Sequence, residues 1–165
     1  MTPRGTAADG RAEVASHHRL VTGAWAGLLA GLVMTVWKMG EATLAGADAW
    51  RPPNLISTIV LGPSANTGSF QAGPFAVGMT LHVLASIAMG VAYVALLGPV
   101  MVRRTVVADL AAIVAYALAS WAVYQWLIMP WLAPTMDAHV SPLSLAVAHV
   151  GFALAFAAWW LPRRP

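Results

Sequence analysis

Four long apolar stretches constrain the fold of this chain more than any other feature of its sequence. They cover about residues 21–46, 76–97, 105–129 and 143–161. Each is close to the ~20 residues that an α-helix needs to cross the hydrocarbon core of a bilayer. Charged residues make up only 9% of the chain, whereas soluble domains carry about 25%. We therefore predict an all-α integral membrane bundle of four transmembrane helices.

The segments outside these stretches complete the predicted organisation. Residues 1–19 are polar and lack periodicity, so we expect a flexible cytoplasmic tail ahead of a four-helix transmembrane domain at residues 20–162. In the loop between the first two spans, Pro52 and Pro53 suit a helix start and Gly62 suits its end. The piece between them is too short to cross a bilayer. We therefore expect a short interfacial or re-entrant helix there.

The basic residues indicate how the chain is oriented in the membrane. Only Lys38 and Arg51 fall on one side of the predicted spans. The positive-inside rule then predicts a multi-pass protein of the bacterial cytoplasmic (inner) membrane, with both termini in the cytoplasm and the first loop outside. This distribution favours the lipid bilayer as the partner and argues against nucleic acid. Seven arginines lie on the other side: Arg4, Arg11, Arg19, Arg103, Arg104, Arg163 and Arg164.

A glycine stripe marks the first span. Gly23, Gly27 and Gly31 are spaced four residues apart, which places them on one helix face. Small residues at this spacing let a second helix backbone approach closely inside a membrane. The stripe predicts a helix-packing surface. The sequence leaves open whether the partner helix belongs to this chain, to a second copy or to another membrane protein subunit.

Polar side chains from all four spans are predicted to share one depth in the outer leaflet. His82 and His149 each lie about six residues inside the outer end of their span, roughly 9 Å at 1.5 Å per residue. Lys38 and Glu41 lie near the outer end of the first span, and Gln125 lies near that of the third. Lys38 either extends to the surface or forms an ion pair with Glu41 inside the bundle.

Three interpretations of this polar layer remain open. The favoured one is a hydrogen-bond cluster that fixes how the helices pack, with no cofactor. The second is a cofactor site in which His82 and His149 ligate the iron of haem b from two helices. The third is a site for a divalent metal, formed by Glu41, His82 and His149.

The order of these features resembles that of small bacterial four-helix membrane proteins of uncharacterised function. The resemblance covers about residues 20–161 and has no established activity to carry over. It implies the four-span topology and draws attention to His82 and His149. The stretches that carry it are "GAWAGLLAGLVMTVWKMGE", "RPPNLISTIVLG", "LHVLASIAMGVAY" and "YQWLIMPWLAPTMDAHVSPLSLAVAHVGFALAF".

The sequence favours a protein that is not an enzyme. It contains no GxSxG, HExxH, P-loop or dinucleotide-binding motif. We expect an accessory or assembly subunit whose glycine stripe packs a helix. A haem- or metal-binding membrane protein is the alternative. A small-solute or proton transporter is the second alternative, although Tyr116 and Ser120 are the few polar residues that could continue a path toward the cytoplasm.

Overall fold

The fold consists of helices joined by short connections. The computed structural model describes residues 6–101 and 105–164, with side chains described for residues 13–100 and 105–164. A π-helical turn, Tyr124–Ile128, joins the fourth helix to the fifth, and no strand occurs in the described residues. The predicted all-α class is confirmed. The helices are α1 (Thr6–Leu44), α2 (Arg51–Leu61), α3 (Ala72–Met101), α4 (Val106–Val123), α5 (Met129–Leu132), α6 (Pro134–Asp137) and α7 (Pro142–Trp160).

Four helical segments have the length and composition to cross a membrane. Their apolar windows have mean hydropathies of 1.7 to 2.1. The third segment runs through α4, the π turn and α5 as one continuous rod. The arrangement is compatible with an integral membrane protein, as the four apolar stretches predict. The segments are Glu13–Leu44, Ala72–Val100, Val106–Leu132 and Pro142–Arg163.

The bundle is closed on three sides and open on the fourth. α1 packs against α3 on one side and against α7 on the other, and α4 packs against α7. α3 and α4 contact each other only sparsely. The short helix α2 lies on α3, where a Cβ atom on Gly78 would overlap the Pro53 carbonyl. The end of the bundle that carries α2 is called the α2 end below.

The glycine stripe packs against a helix of the same chain. A Cβ atom on Gly27 would overlap the Ser86 carbonyl of α3, and one on Gly23 would lie 2.9 Å from the Gly90 carbonyl oxygen. Gly31 faces the Ser86 side chain in the same way. Because none of these glycines has a side chain, the α1 and α3 backbones come into direct contact. The partner helix left open by the sequence is therefore α3.

The helix ends differ from the sequence-based boundaries in three places. α1 begins at Thr6, so the segment expected to be a flexible tail is helical from that residue onward. Its alanines favour propagation of the helix from the span. α3 passes through Pro99, near its end, where the missing N–H affects a single bond. The third span continues past Pro130 because the π turn ends at Ile128 and α5 begins at Met129. Pro130 therefore lies in the first turn of α5, where a proline is tolerated.

The end of the bundle opposite α2 is tightly packed. Tyr93 lies at its centre, with ring centroids 5.4 Å from Tyr116 and 5.3 Å from Phe156. The void between these rings is about 10 Å³, about the minimum that one water molecule needs. Nearby, the buried Asp109 of α4 forms an ion pair with Arg164. Aromatic packing joins α3, α4 and α7 at that end, and the ion pair ties α4 to the segment that follows α7.

Candidate functional site

A large cavity lies at the α2 end of the bundle. Its volume is about 840 Å³, within the ~300–1,000 Å³ typical of small-molecule sites. Its walls come from α1, α3, α4 and α7, and α2 contributes residues between Arg51 and Ile59. Most of the lining side chains are apolar, with a small number of polar groups among them. This combination is typical of binding sites for molecules that are mainly apolar.

The cavity reaches the surface between α3 and α4. These helices are joined at one level, where the Tyr116 hydroxyl donates to the Met89 carbonyl oxygen at 3.1 Å. Toward the α2 end, Ala85 of α3 and Ala119 of α4 both line the cavity and are both exposed. Because alanines are too short to fill the space between the two backbones, a gap remains. In a membrane this gap would face the lipid chains.

A closed polar network connects α1 to α7 at the α2 end of the cavity. The Lys38 ammonium lies 2.8 Å from a Glu41 carboxylate oxygen and 2.5 Å from the Ser144 hydroxyl. The Ser144 hydroxyl in turn donates to the other Glu41 oxygen at 2.5 Å. The Lys38 side chain is only 18% exposed. The Glu41 side chain is 39% exposed, so the Lys38–Glu41 pair lies at the edge of the bundle with Lys38 as its more buried member.

His82 forms a hydrogen bond between helices. Its Nε2 lies 3.0 Å from the Gly31 carbonyl oxygen of α1. Since a carbonyl oxygen only accepts hydrogen bonds, the proton must be on Nε2. The absence of a side chain at Gly31 lets α3 come close enough for the ring to reach the α1 backbone. The glycine stripe thus sets the position of one of the two candidate histidines.

His149 lies on the opposite wall and bonds within its own helix. It is buried in α7, and its Nδ1 lies 2.9 Å from the Leu145 carbonyl oxygen one turn earlier. By the same reasoning as for His82, the proton is on Nδ1. Both imidazole rings line the cavity. The structure therefore brings the two histidines to one site from α3 and α7.

Four of the five residues of the predicted polar layer line this cavity, namely Lys38, Glu41, His82 and His149. Gln125 does not. It is buried in the π turn, and its Nε2 donates to Asp137 Oδ1 of α6 at 3.3 Å. The distance from the end of a span predicts how deep a residue lies, but it does not determine which way the side chain points around its helix.

Ser144 is the residue of the polar network that sequence reasoning missed. It lies in the first turn of α7, five residues before His149. A serine near the end of a span is unremarkable in composition. Its proximity to the Lys38–Glu41 pair depends on α1 and α7 being neighbours, which no local sequence signal gives.

Metal or haem ligation finds little support in this geometry. Among the described side chains, no three or more His, Asp or Glu residues are grouped closely enough to hold a metal ion. Glu41 is instead occupied by Lys38 and Ser144. For His82 to ligate haem iron through Nε2, it would have to release the Gly31 carbonyl. A site formed by Glu41, His82 and His149 thus remains a sequence-based prediction.

Comparisons with protein-family models, with curated proteins and with solved structures found no match for this chain. Its function therefore has to be argued from the cavity and the residues around it.

Proposed function

We propose that this chain is a non-enzymatic, multi-pass membrane protein that binds one small amphipathic molecule of the bilayer in the cavity at the α2 end. The observation that carries the proposal is a cavity of about 840 Å³, mostly apolar, that reaches the surface between α3 and α4. A molecule dissolved in the lipid could enter there without crossing water.

Packing energetics support an occupant. A hydrocarbon or isoprenoid chain that lies in the cavity makes dispersion contacts with the apolar side chains along its walls. The polar groups then determine which molecules bind, because a few placed polar groups usually orient a ligand in an otherwise apolar pocket.

The glycine stripe gives no support to an accessory role of the kind expected from the sequence. Gly23, Gly27 and Gly31 are already covered by α3. A role as an assembly subunit would need a different surface. Transport toward the cytoplasm would need a path through the packed rings around Tyr93, where the void is about 10 Å³. Binding is the function that these contacts favour.

We place the protein in the bacterial inner membrane with the α2 end outside, because seven of the nine basic residues fall on the other side. The chain has no cysteine, so single substitutions give unambiguous labelling. Ser64→Cys, at an exposed position next to α2, should react with a membrane-impermeant maleimide in intact cells. Ser16→Cys, exposed near the start of α1, should react only after lysis. The reverse pattern would overturn the orientation.

Haem binding is retained as a second candidate because His82 and His149 line the cavity from two different helices. Purified protein would then show a Soret absorption band that is lost in His149→Ala. A colourless protein would exclude this candidate and leave the binding of an amphipathic molecule unaffected.

Native mass spectrometry tests the main proposal. Protein purified in a mild detergent should retain one lipid-derived molecule, identified after organic extraction. Ala119→Trp places a large side chain in the cavity and should abolish retention. Ala115→Trp is the matched control, since this exposed alanine lies one turn away on α4 and does not line the cavity. Equal retention by both variants, or no bound molecule in the wild type, would overturn the proposal.

A further inference from the structure

Seven hydroxyl groups line the cavity, and all but the exposed Ser141 already use their hydrogens. Tyr124 donates to the Met136 sulfur and Ser144 donates to Glu41. The other four donate to backbone carbonyl oxygens, so these six hydroxyls present only oxygen lone pairs to a ligand. The four bonds to carbonyls are 2.8 to 3.1 Å long and run from Thr35 to Gly31, from Ser86 to His82, from Tyr116 to Met89 and from Ser120 to Tyr116.

The two histidines follow the same pattern. His82 uses its Nε2 hydrogen for the Gly31 carbonyl, and His149 uses its Nδ1 hydrogen for the Leu145 carbonyl. In a neutral imidazole the second nitrogen is a hydrogen-bond acceptor. The hydrogen bonds to Gly31 and Leu145 are the ones that these two side chains make among the described residues, so His82 Nδ1 and His149 Nε2 are left without a partner there. The cavity thus presents two ring nitrogens as acceptors, one on α3 and one on α7.

The two cations that line the cavity, Lys38 and Arg51, do not place a hydrogen-bond donor beside the histidines. Lys38 donates to both Glu41 and Ser144. It lies only six residues from the end of α1, and Arg51 is the first residue of α2. Both therefore stand toward the α2 end. Ser141, whose hydroxyl has no hydrogen-bond partner among the described residues, precedes α7 at the same end. The other neutral polar side chains that line the cavity, His82 and His149 included, present acceptors to a ligand.

We infer that the bound molecule carries a hydroxyl group that donates a hydrogen bond to His82 Nδ1 or His149 Nε2, as a long-chain alcohol, an isoprenoid alcohol or a hydroquinone would. The inference rests on the proposed function, because it specifies the polar end of the molecule in that cavity. A ketone, quinone or ether brings only acceptors. It would leave the ring nitrogens unpaired and weaken binding.

The test compares two probes that differ by a single donor. The protein, labelled with ¹⁵N at histidine and placed in lipid nanodiscs, is titrated with 1-hexadecanol and with hexadecyl methyl ether. The alcohol should shift the resonance of an unprotonated ring nitrogen of His82 or His149, and the ether should not. His17 and His18, both exposed near the start of α1, provide internal controls. Spectra of His82→Gln and His149→Gln assign the signals.

Binding strength provides a second readout. Native mass spectrometry of the same titrations should show the ether binding roughly 2- to 12-fold more weakly than the alcohol, as one lost hydrogen bond predicts. His149→Phe removes an acceptor that bonds only within α7, so the contacts between helices persist. Loss of the preference in this variant assigns the acceptor to His149 Nε2, and an unchanged preference assigns it to His82 Nδ1.

The outcomes separate this inference from the proposed function. Equal binding of both probes, blocked by Ala119→Trp but without a change in the histidine spectra, would overturn the hydroxyl inference and leave the cavity as a binding site. If neither probe binds in a way that Ala119→Trp blocks, the proposed function itself fails. A spectral shift with the alcohol alone supports both.

Discussion

The two interfaces that α3 makes with its neighbours differ sharply. Toward α1, glycines bring the backbones into contact, and His82 adds a hydrogen bond from one helix to the other. Toward α4, the helices meet around Tyr116 and Met89, and Ala85 and Ala119 leave open space nearer α2. Small residues occur on both sides. The glycines between α1 and α3 permit close contact because the two backbones lie against each other there. The alanines between α3 and α4 leave a gap because no backbone lies against them.

This difference shows that small residues in a membrane helix have two separate uses. At the α1–α3 interface they permit contact, so adding atoms there must push the helices apart. At the α3–α4 interface they leave a volume for another molecule. His82 serves both interfaces in the same way. Its Nε2 bonds α1 to α3, and its Nδ1 is left as an acceptor for a ligand in the cavity.

The largest expected effect comes from adding atoms at the tight interface. Gly27→Leu forces a side chain into the Ser86 carbonyl and should lower the free energy of unfolding by about 3 kcal/mol. Gly40→Leu is the matched control, because nothing lies within 4 Å of a Cβ atom built on Gly40 of the same helix. Unfolding in mixed detergent micelles measures both. Equal stabilities would contradict the direct α1–α3 contact.

A smaller loss is expected at the polar network of the cavity. Ser144→Ala removes the hydroxyl that bridges Lys38 and Glu41 and should lower the stability by about 1 kcal/mol. Ser141→Ala, an exposed position just before α7, should change it much less. The same unfolding assay compares them. If Ser141→Ala proves as destabilising as Ser144→Ala, the network does not hold α1 to α7.

The single hydrogen bond between α3 and α4 should contribute less still. Tyr116→Phe removes the bond to the Met89 carbonyl, and such bonds in membranes are worth about 0.6 kcal/mol. Tyr124→Phe serves as the control, because its hydroxyl contacts Met136 and not α3. Spin labels on α3 and α4 should show a wider distance distribution in Tyr116→Phe only. An unchanged distribution would mean that this bond does not limit the gap.

The smallest effect should follow from adding atoms at the open interface. Ala85→Phe enters the cavity and should change the free energy of unfolding by less than about 0.5 kcal/mol. The same substitution at Ala26, which is fully buried in α1, should be clearly destabilising. Thermal unfolding of the two variants makes the comparison. A large loss in Ala85→Phe would show that the gap is filled by protein.

Local sequence signals predicted much of this fold. Hydropathy and length predicted the four spans, and the prolines near residue 52 with Gly62 predicted α2. The spacing of the α1 glycines predicted a packing surface, because a helix face depends on local geometry alone. Lys38, Glu41, His82 and His149 line one cavity, whereas their common depth in the outer leaflet stays a prediction.

Other features depend on which helices are neighbours, and no single stretch encodes that. Ser144 joins the polar network only because α7 lies beside α1. The gap at Ala85 and Ala119 depends on the sparse contact between α3 and α4. Depth along the span predicts Gln125 in the polar layer, but Gln125 lies in the π turn and donates to Asp137 outside the cavity. In a soluble helix, polar residues mark the exposed face and so reveal the buried one. A helix that faces lipid is apolar on both faces, so its sequence does not show which face is buried.

The most direct test of the central claim is X-ray density for the protein purified from its native membrane in a mild detergent. We predict continuous, elongated density between α3 and α4, with its polar end beside His82 and His149. Direct contact between Ala85 and Ala119, with α3 and α4 packed together and no space between them, would contradict the account.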